Sequence, residues 1–403
     1  MTEFGELLRK FRTDAGLSLG ELARQTSYSK GQVSKIEHGH ASPSPGFAKM
    51  CDRILATGGA LAAAVREKPQ PPRTAPPEDV WVLELDGDGS LRYAELPTRQ
   101  VLTGAGAMAR SARPAIDEGT FAVLRMSFDH HRVLGTMTSP SLVLGPVVAH
   151  LHTLRTLAND SPEPMRARLW ELAAQVAEFA GWMCQEAGRE ADALRWTERA
   201  VAFDPRLASF AQFRRAELAL YRHDAHNTIE LARQAGQDEA AGPRVLGLAA
   251  RCEAQGHALA GDAVAFEEAL DRAAALLAVH DQDTGPVLGP ASVPDELPLV
   301  RGWSLYDLGR PGEAAELLSR QLPSIPSTAR RARARYGVRL ALAHALDGEV
   351  EQACAAAQEV LDDVAAVDSA TIRIDLRELN RTLNRWQTDA VVGELLLKLR
   401  PLR

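Results

Sequence analysis

The chain has 403 residues, 45% of them hydrophobic, and a formal net charge of −7. This length exceeds one ordinary hydrophobic core and predicts two or more domains, while the acidic balance excludes a protein coated by nucleic acid over its whole surface. Its four scattered cysteines exclude a disulfide framework and a cysteine-rich metal site, and it lacks the run of about eighteen apolar residues that a membrane span needs.

Positive charge is concentrated near the N-terminus, which also lacks the hydrophobic region of a signal peptide. Residues 1–67, called the head below, hold nine Lys and Arg against seven Asp and Glu, and within 24–49 four basic side chains oppose Glu37 alone. A basic patch on one small domain of an acidic protein predicts a surface that faces phosphates. We therefore expect a cytoplasmic protein with a nucleic-acid partner.

Two short helices are predicted within residues 18–37. Ser18 precedes Glu21 by three residues and Ser29 precedes Gln32 by three, so each pair can form a capping box at a helix start. Only a sharp turn fits between these helices, and further helices are predicted at about 2–15 and 46–57, with a fifth before residue 67. Four apolar side chains can close a core across the turn: Leu22, Ala23, Val33 and Ile36.

This pattern resembles the phage-repressor-like, or Xre-type, family of helix-turn-helix regulators over about residues 3–57. Five residues fall in the register of that family: Ala23, Val33, Ile36, Glu37 and Gly39. The resemblance implies that the second helix enters the DNA major groove and that Arg12 forms a salt bridge with Glu37. The chain departs from the family at Ser27, where many members have glycine, and at Leu19, where a glutamine often clamps a phosphate.

The second helix of the motif supplies the predicted DNA contacts. By family resemblance Lys30, Gly31 and Lys35 face bases; lysine can donate to guanine, and Gln32 can pair with adenine. A solvated charged face is the alternative. The full predicted contact set consists of Ser29, Lys30, Gly31, Gln32, Ser34, Lys35, Arg24 and His40.

A linker and a hairpin are predicted after the head. Residues 68–78 hold five prolines and predict an extended, semi-rigid linker. Residues 79–118 are assigned to a hairpin and connector, because Trp81, Leu83 and Leu85 alternate before a DGDG turn.

Three motifs suggest chemistry but fit structural roles better. GAGAMA at 104–109 lacks the alternating strands and helices of a dinucleotide fold, and the DGDGS turn lacks the closing glutamate of a calcium loop. The histidine cluster has no metal-type spacing; its members are His130, His131, His150 and His152. We expect no cofactor, no metal and no enzyme activity.

Residues 119–403, called the body, contain a repeat of about 34 residues. Its clearest copy, in which small residues are followed by Pro205, resembles the tetratricopeptide repeat, and a second copy ends at Pro326. Weaker copies occur near 208–236, 247–277 and 334–364. The expected fold is therefore all-α: a head of four to five helices, a small β-hairpin and a tetratricopeptide-repeat solenoid with a concave face.

The first helix of each repeat should line that concave face. Large aromatic side chains beside amides and charges suit a peptide, small-molecule or protein effector. The alternative is that Trp182 and Trp303 simply pack neighbouring repeats. The predicted ligand-binding set is Glu178, Trp182, Gln185, Gln212, Arg251, Gln255, Trp303, Tyr306 and Arg335.

Together these features predict a sequence-specific transcriptional regulator that binds an inverted-repeat operator as a homodimer. The architecture is similar to that of peptide-pheromone receptor regulators and of many actinobacterial regulators, and forty Arg against six Lys favours the second group. The alternatives are an interaction scaffold or antitoxin-like protein without ligand sensing, and a DNA-linked enzyme, against which the absence of catalytic motifs weighs.

Overall fold

A computed structural model describes residues 3–65, 79–85, 91–97, 116–238, 241–280, 288–289 and 292–402. The proline-rich linker, the DGDGS turn and GAGAMA lie outside these residues. Between head and body the backbone forms two antiparallel strands, β1 (Asp79–Leu85) and β2 (Leu91–Pro97), with Trp81 opposite Glu95. The assignment of 79–118 as a separate hairpin and connector stays a prediction.

The described head is a bundle of short helices around one small core. Its helices are α1 (Glu3–Asp14), α2 (Leu19–Gln25), α3 (Lys30–Glu37), α4 (Pro45–Leu55) and α5 (Ala60–Val65). Leu8, Leu22, Val33 and Phe47 are fully buried at its centre. These are the apolar positions of the helical pattern, so their burial is what holds α2 and α3 across the turn.

The two predicted capping boxes differ. Ser18 and Glu21 cap reciprocally, because the Ser18 hydroxyl accepts from the Glu21 amide and the Glu21 carboxylate accepts from the Ser18 amide at 2.7 Å. At α3 the hydroxyl of Ser29 accepts from the amide of Gln32 at 3.2 Å, but the return bond is missing. The Gln32 side chain is therefore free of a capping role.

Ser27, in the turn between α2 and α3, adopts a left-handed backbone with φ of +53°. This is the conformation that its place in the motif requires, and it favours glycine because a Cβ is crowded there. We expect Ser27→Gly to stabilise the head by up to about 1 kcal/mol. Urea unfolding followed by circular dichroism measures this, and a loss of stability would contradict the strain argument.

The body is helical throughout its described residues. Its helices are α6 (Glu118–Met137), α7 (Pro140–Asp160), α8 (Met165–Glu186), α9 (Glu190–Phe203), α10 (Ala208–Tyr221), α11 (Ala225–Gly236), α12 (Pro243–Ala260), α13 (Ala263–His280), α14 (Leu297–Asp307), α15 (Pro311–Gln321), α16 (Arg330–Asp347), α17 (Val350–Val367), α18 (Ala370–Leu383) and α19 (Ala390–Leu399). Consecutive helices pack in pairs, and small residues allow the close contacts: a Cβ on Gly337 of α16 would lie 2.4 Å from Val360 of α17.

The two ends of the body meet. Helix α6 packs on α16 and α17, and α8 packs on α18. The contact is polar and buried: the guanidinium of Arg331 donates to the carbonyl oxygens of Gly135 and Thr138 and to the carboxylate of Glu186, which is fully buried. The helices of the body therefore follow a path whose two ends meet, called the ring below.

The head is packed against this ring through α4. Met50 belongs to the hydrophobic core of the body, and the amide of Gly46 donates to the carboxylate of Glu378 at 2.8 Å. A Cβ on Gly46 would lie 2.7 Å from the Tyr306 hydroxyl, so only glycine permits this approach. Arg385 of the body lies over the ring of Tyr28 at 4.0 Å.

Candidate DNA-binding face and body cavity

Helix α3 keeps its polar face free of the body. All eight residues predicted to contact DNA are accessible to solvent. Gln32 and Ser34 are half-buried, and the others are exposed: Ser29, Lys30, Gly31, Lys35, Arg24 and His40. A Cβ on Gly31 would meet no atom within 4 Å, so another surface can approach the backbone closely there. The docked head therefore still presents a face that could enter a major groove.

Lys49 does not belong to this basic face, although it lies in the basic stretch of the sequence. Its side chain is 5% exposed and pairs with Asp307 of the body. The cation is thus used inside the protein. The positive charge available near α3 comes from Lys30, Lys35 and Arg24.

A buried ion pair fixes the orientation of α3. Arg12 donates to both carboxylate oxygens of Glu37, at 2.5 and 3.0 Å, and to the carbonyl oxygen of Leu17 at 2.8 Å. Hydrogen bonding to Glu37 raises the pKa of Arg12, so this guanidinium stays charged. The pair predicted from the family resemblance is present, and it holds α1, the start of α2 and the end of α3 together.

A helix-turn-helix domain model matches residues 3–65. The match ends with α5, so it supports a DNA-binding head and carries no information about the body. No curated protein matches the chain. No described helix is long and apolar enough to cross a membrane.

The ring of the body encloses a cavity of about 450 Å³. Six of the nine predicted ligand-binding residues line it: Glu178, Trp182, Gln185, Arg251, Gln255 and Arg335. The inner helices of the repeats therefore do bring these side chains together. They lie on the wall of one shared cavity inside the ring.

The other three predicted ligand residues lie elsewhere. The side-chain oxygen of Gln212 accepts a bond from Arg215 at 3.4 Å and does not line the cavity. Trp303 and Tyr306 stack on each other with ring centroids 4.3 Å apart, and Lys49 of the head lies over both rings. These two aromatic residues pack against the head, because α14 faces α4 at this point.

Arginines and carboxylates form a continuous network in the cavity wall. Arg214 donates to Glu217 and to the side-chain oxygen of Gln185, and Arg251 connects Glu217 to Glu296. Burial alone would lower the pKa of Arg251, but the two carboxylates raise it, so it stays charged. These pairs hold α8, α10 and α12 at fixed positions around the cavity.

The network leaves several buried polar groups without a partner. The Nε atoms of Arg214, Arg251 and Arg335 have no hydrogen-bond acceptor among the described residues. Glu178, 8% exposed, has Arg214 at 3.7 Å as its ion-pair partner, and burial raises the pKa of its carboxyl group. Unsatisfied groups of this kind are costly, and they concentrate at sites that bind ligands.

Several cavity residues were not predicted from the sequence: Arg132, Arg214, Glu217, Tyr221, Arg331, Tyr336 and Arg339. The sequence does indicate the arginines of α16, because Arg331, Arg335 and Arg339 recur every four residues and therefore share one helix face. For Arg132 on α6 no local signal exists, since it reaches the cavity only because the ring closes.

The histidine cluster contains one buried pair. His131 and His150 have ring centroids 5.5 Å apart, and burial, with His131 nearby, lowers the pKa of His150 to about 4. Both rings are therefore neutral at neutral pH and pack α6 against α7. Among the described residues no group of three His, Cys, Asp or Glu side chains is arranged for a metal ion.

Proposed function

We propose that this chain is a sequence-specific transcriptional regulator of the Xre type that acts in the cytoplasm by binding and not by catalysis. The observation that carries the proposal is the exposed face of α3, with Lys30, Gly31 and Lys35 outward, inside a segment matched by a helix-turn-helix model. The stacking of helix pairs in the body supports a tetratricopeptide-like architecture.

The proposed role of the body is to bind an effector and to mediate dimerisation. A cavity of about 450 Å³ whose wall contains unpaired polar groups suits a small molecule or a short peptide segment better than a folded protein. A homodimer would bind an inverted repeat whose half-sites lie about one helical turn, or a multiple of it, apart. Light scattering that reports a monomer both on and off DNA would refute the dimer.

We expect Lys30→Ala and Lys35→Ala each to cost about 1–3 kcal/mol at the cognate site, because each removes a donor to base edges. Genome-wide mapping of bound sites would first identify that site. Fluorescence anisotropy with cognate and scrambled duplexes then gives the specificity. Lys398→Ala, which removes an exposed lysine of α19, is the matched control and should leave affinity unchanged.

Equal weakening on both duplexes would mean that the two lysines touch only phosphates. Binding to neither duplex at low salt, where phosphate contacts are strongest, would favour the alternative of an interaction scaffold or antitoxin-like protein.

A further inference from the structure

Two arginines of α16 place unused hydrogen-bond donors in the cavity wall. Arg339, 7% exposed, donates from Nε to Asp375 at 3.0 Å, and its two terminal nitrogens donate no hydrogen bond to the described residues. Arg335, one turn earlier on the same face, donates from Nη2 alone, to Glu186 and Thr371. Both side chains line the cavity. A guanidinium fork of this kind matches the geometry of an anionic oxygen group.

The remaining wall of the cavity indicates what else the ligand carries. Glu178 on α8 is a buried carboxylate with no hydrogen-bond donor among the described residues, so it can accept from a hydroxyl or amino group. Trp182 and Tyr221 add flat apolar surface. The space of about 450 Å³ limits the ligand to the size of a small metabolite.

We propose that the cavity binds a small organic acid that also bears a hydroxyl or amino group, and that its anionic group is held by Arg335 and Arg339. We also infer that occupancy is transmitted to the head through Arg339. This second step rests on the proposed function, since it concerns regulation of a DNA-binding head.

The path from cavity to head is short. The guanidinium of Arg339 lies 4.4 Å from the ring centroid of Trp303, which stacks on Tyr306. Lys49 of the head lies 5.0 Å from the Tyr306 ring, and the Tyr306 hydroxyl donates to Glu378 at 2.6 Å. The same oxygen of Glu378 accepts the Gly46 amide.

An anion in the cavity would draw Arg339 away from Trp303 and Asp375. The stacked rings of Trp303 and Tyr306, which Lys49 contacts, then lose the cation of Arg339. The head is therefore held less tightly on the body. The energy for this comes only from the difference in ligand affinity between the two positions of Arg339. Ligand binding is therefore coupled to loosening of the head, which changes its orientation on the body.

The site is tested with two fluorescent probes that share one aromatic skeleton and differ by a single sulfonate group. One is 1-anilinonaphthalene-8-sulfonate, an anion, and the other is N-phenyl-1-naphthylamine, which lacks the sulfonate. We expect Arg339→Gln to weaken binding of the anion to the full-length protein by about tenfold or more, because a charge-assisted bond is lost. Binding of the neutral probe should not change. Arg335→Gln is the second variant and should act likewise if Arg339→Gln does not fold.

The matched control is Arg333→Gln, on the outer face of α16. Arg333 pairs with Asp363 at 2.9 Å and does not line the cavity, so this variant loses an ion pair of the same helix without touching the site. It should bind both probes as the unmodified protein does. Anion binding that is the same in all four proteins would overturn the site.

Amide hydrogen exchange tests the coupling. Saturation with the anionic probe should speed exchange of the Gly46 amide several-fold in the unmodified protein, and the neutral probe should not. If the anion binds through Arg339 and Gly46 exchange stays unchanged, the coupling is refuted while the site stands. DNA binding is measured separately, so a head that binds no DNA would refute the proposed function without altering the outcome of the probe experiments.

Discussion

Glu186→Gln should lower the free energy of unfolding by about 3–5 kcal/mol, because it leaves buried arginine charges uncompensated where the ring closes. One carboxylate oxygen of Glu186 accepts from Arg331 at 2.8 Å and from Ser369 at 2.6 Å, and the other accepts from Arg335 at 2.8 Å and from Thr371 at 3.1 Å. This one side chain of α8 therefore joins α16 and α18 across the closure.

Urea unfolding followed by circular dichroism measures the loss, and Glu171→Gln on the same helix is the control. Glu171 pairs with Arg206 at the surface, where an ion pair contributes about 0–1 kcal/mol, so its removal should be nearly neutral. Equal stability of the Glu186→Gln and Glu171→Gln proteins would show that the closure does not depend on this charge.

We also expect the carboxylate of Glu186 to make the stability of the fold depend on pH. Burial alone would raise the pKa of Glu186, but Arg335 and Arg331 outweigh it and lower the pKa to about 2. Because the pKa is lowered in the folded state, ionised Glu186 stabilises the fold fully above the ordinary glutamate pKa of 4.5. This stabilisation is lost as the pH falls toward 2. The Glu186→Gln variant should lack this component of acid sensitivity.

Lys49→Met should weaken the docking of the head on the body by about 3–5 kcal/mol, because Asp307 would be left buried without its ion-pair partner. Both side chains are nearly fully buried at the contact between α4 and α14. Burial raises the pKa of Asp307, and Lys49 and then Arg339 oppose that shift, so the lysine favours the ionised form of this carboxylate.

Hydrogen exchange at Gly46, whose amide is bonded to Glu378, reports whether the head is docked. Exchange should rise sharply in Lys49→Met and remain unchanged in Lys10→Met, a control at an exposed lysine of α1. The double variant Lys49→Met with Asp307→Leu removes both charges and should recover most of the loss. If Gly46 exchanges as fast in the double variant as in Lys49→Met, the head is held by the shape of the packed side chains and not by the ion pair.

Local features of the head could be predicted because they depend on neighbours in sequence. The capping of α2 by Ser18 follows from the spacing of Ser18 and Glu21, and the left-handed Ser27 and the ion pair of Arg12 with Glu37 follow from the family resemblance of this short motif. The second capping box failed in one half, since Gln32 does not bond back to the amide of Ser29.

Long-range features could not be predicted. The repeat pattern predicts which helices face inward and therefore identifies six of the cavity residues. It does not predict which distant parts of the chain contact each other. Gly46 bonds to Glu378 and Arg331 bonds to Gly135, contacts that only the closed ring and the docked head create. The pattern alone therefore places Trp303 and Tyr306 on a ligand face or between repeats, whereas they lie under Lys49 of the head.

Closure of the ring also changes how the body unfolds. In an open solenoid each repeat touches only its neighbours, so stability is nearly a sum over repeats and the ends fray independently. Here α6 is held by α16, and α8 is held by α18, so the first helices of the body do not fray independently of the last repeats. Deletion of α18 and α19 should consequently loosen α8 near the opposite end of the body, and the intact body should melt as a single cooperative unit.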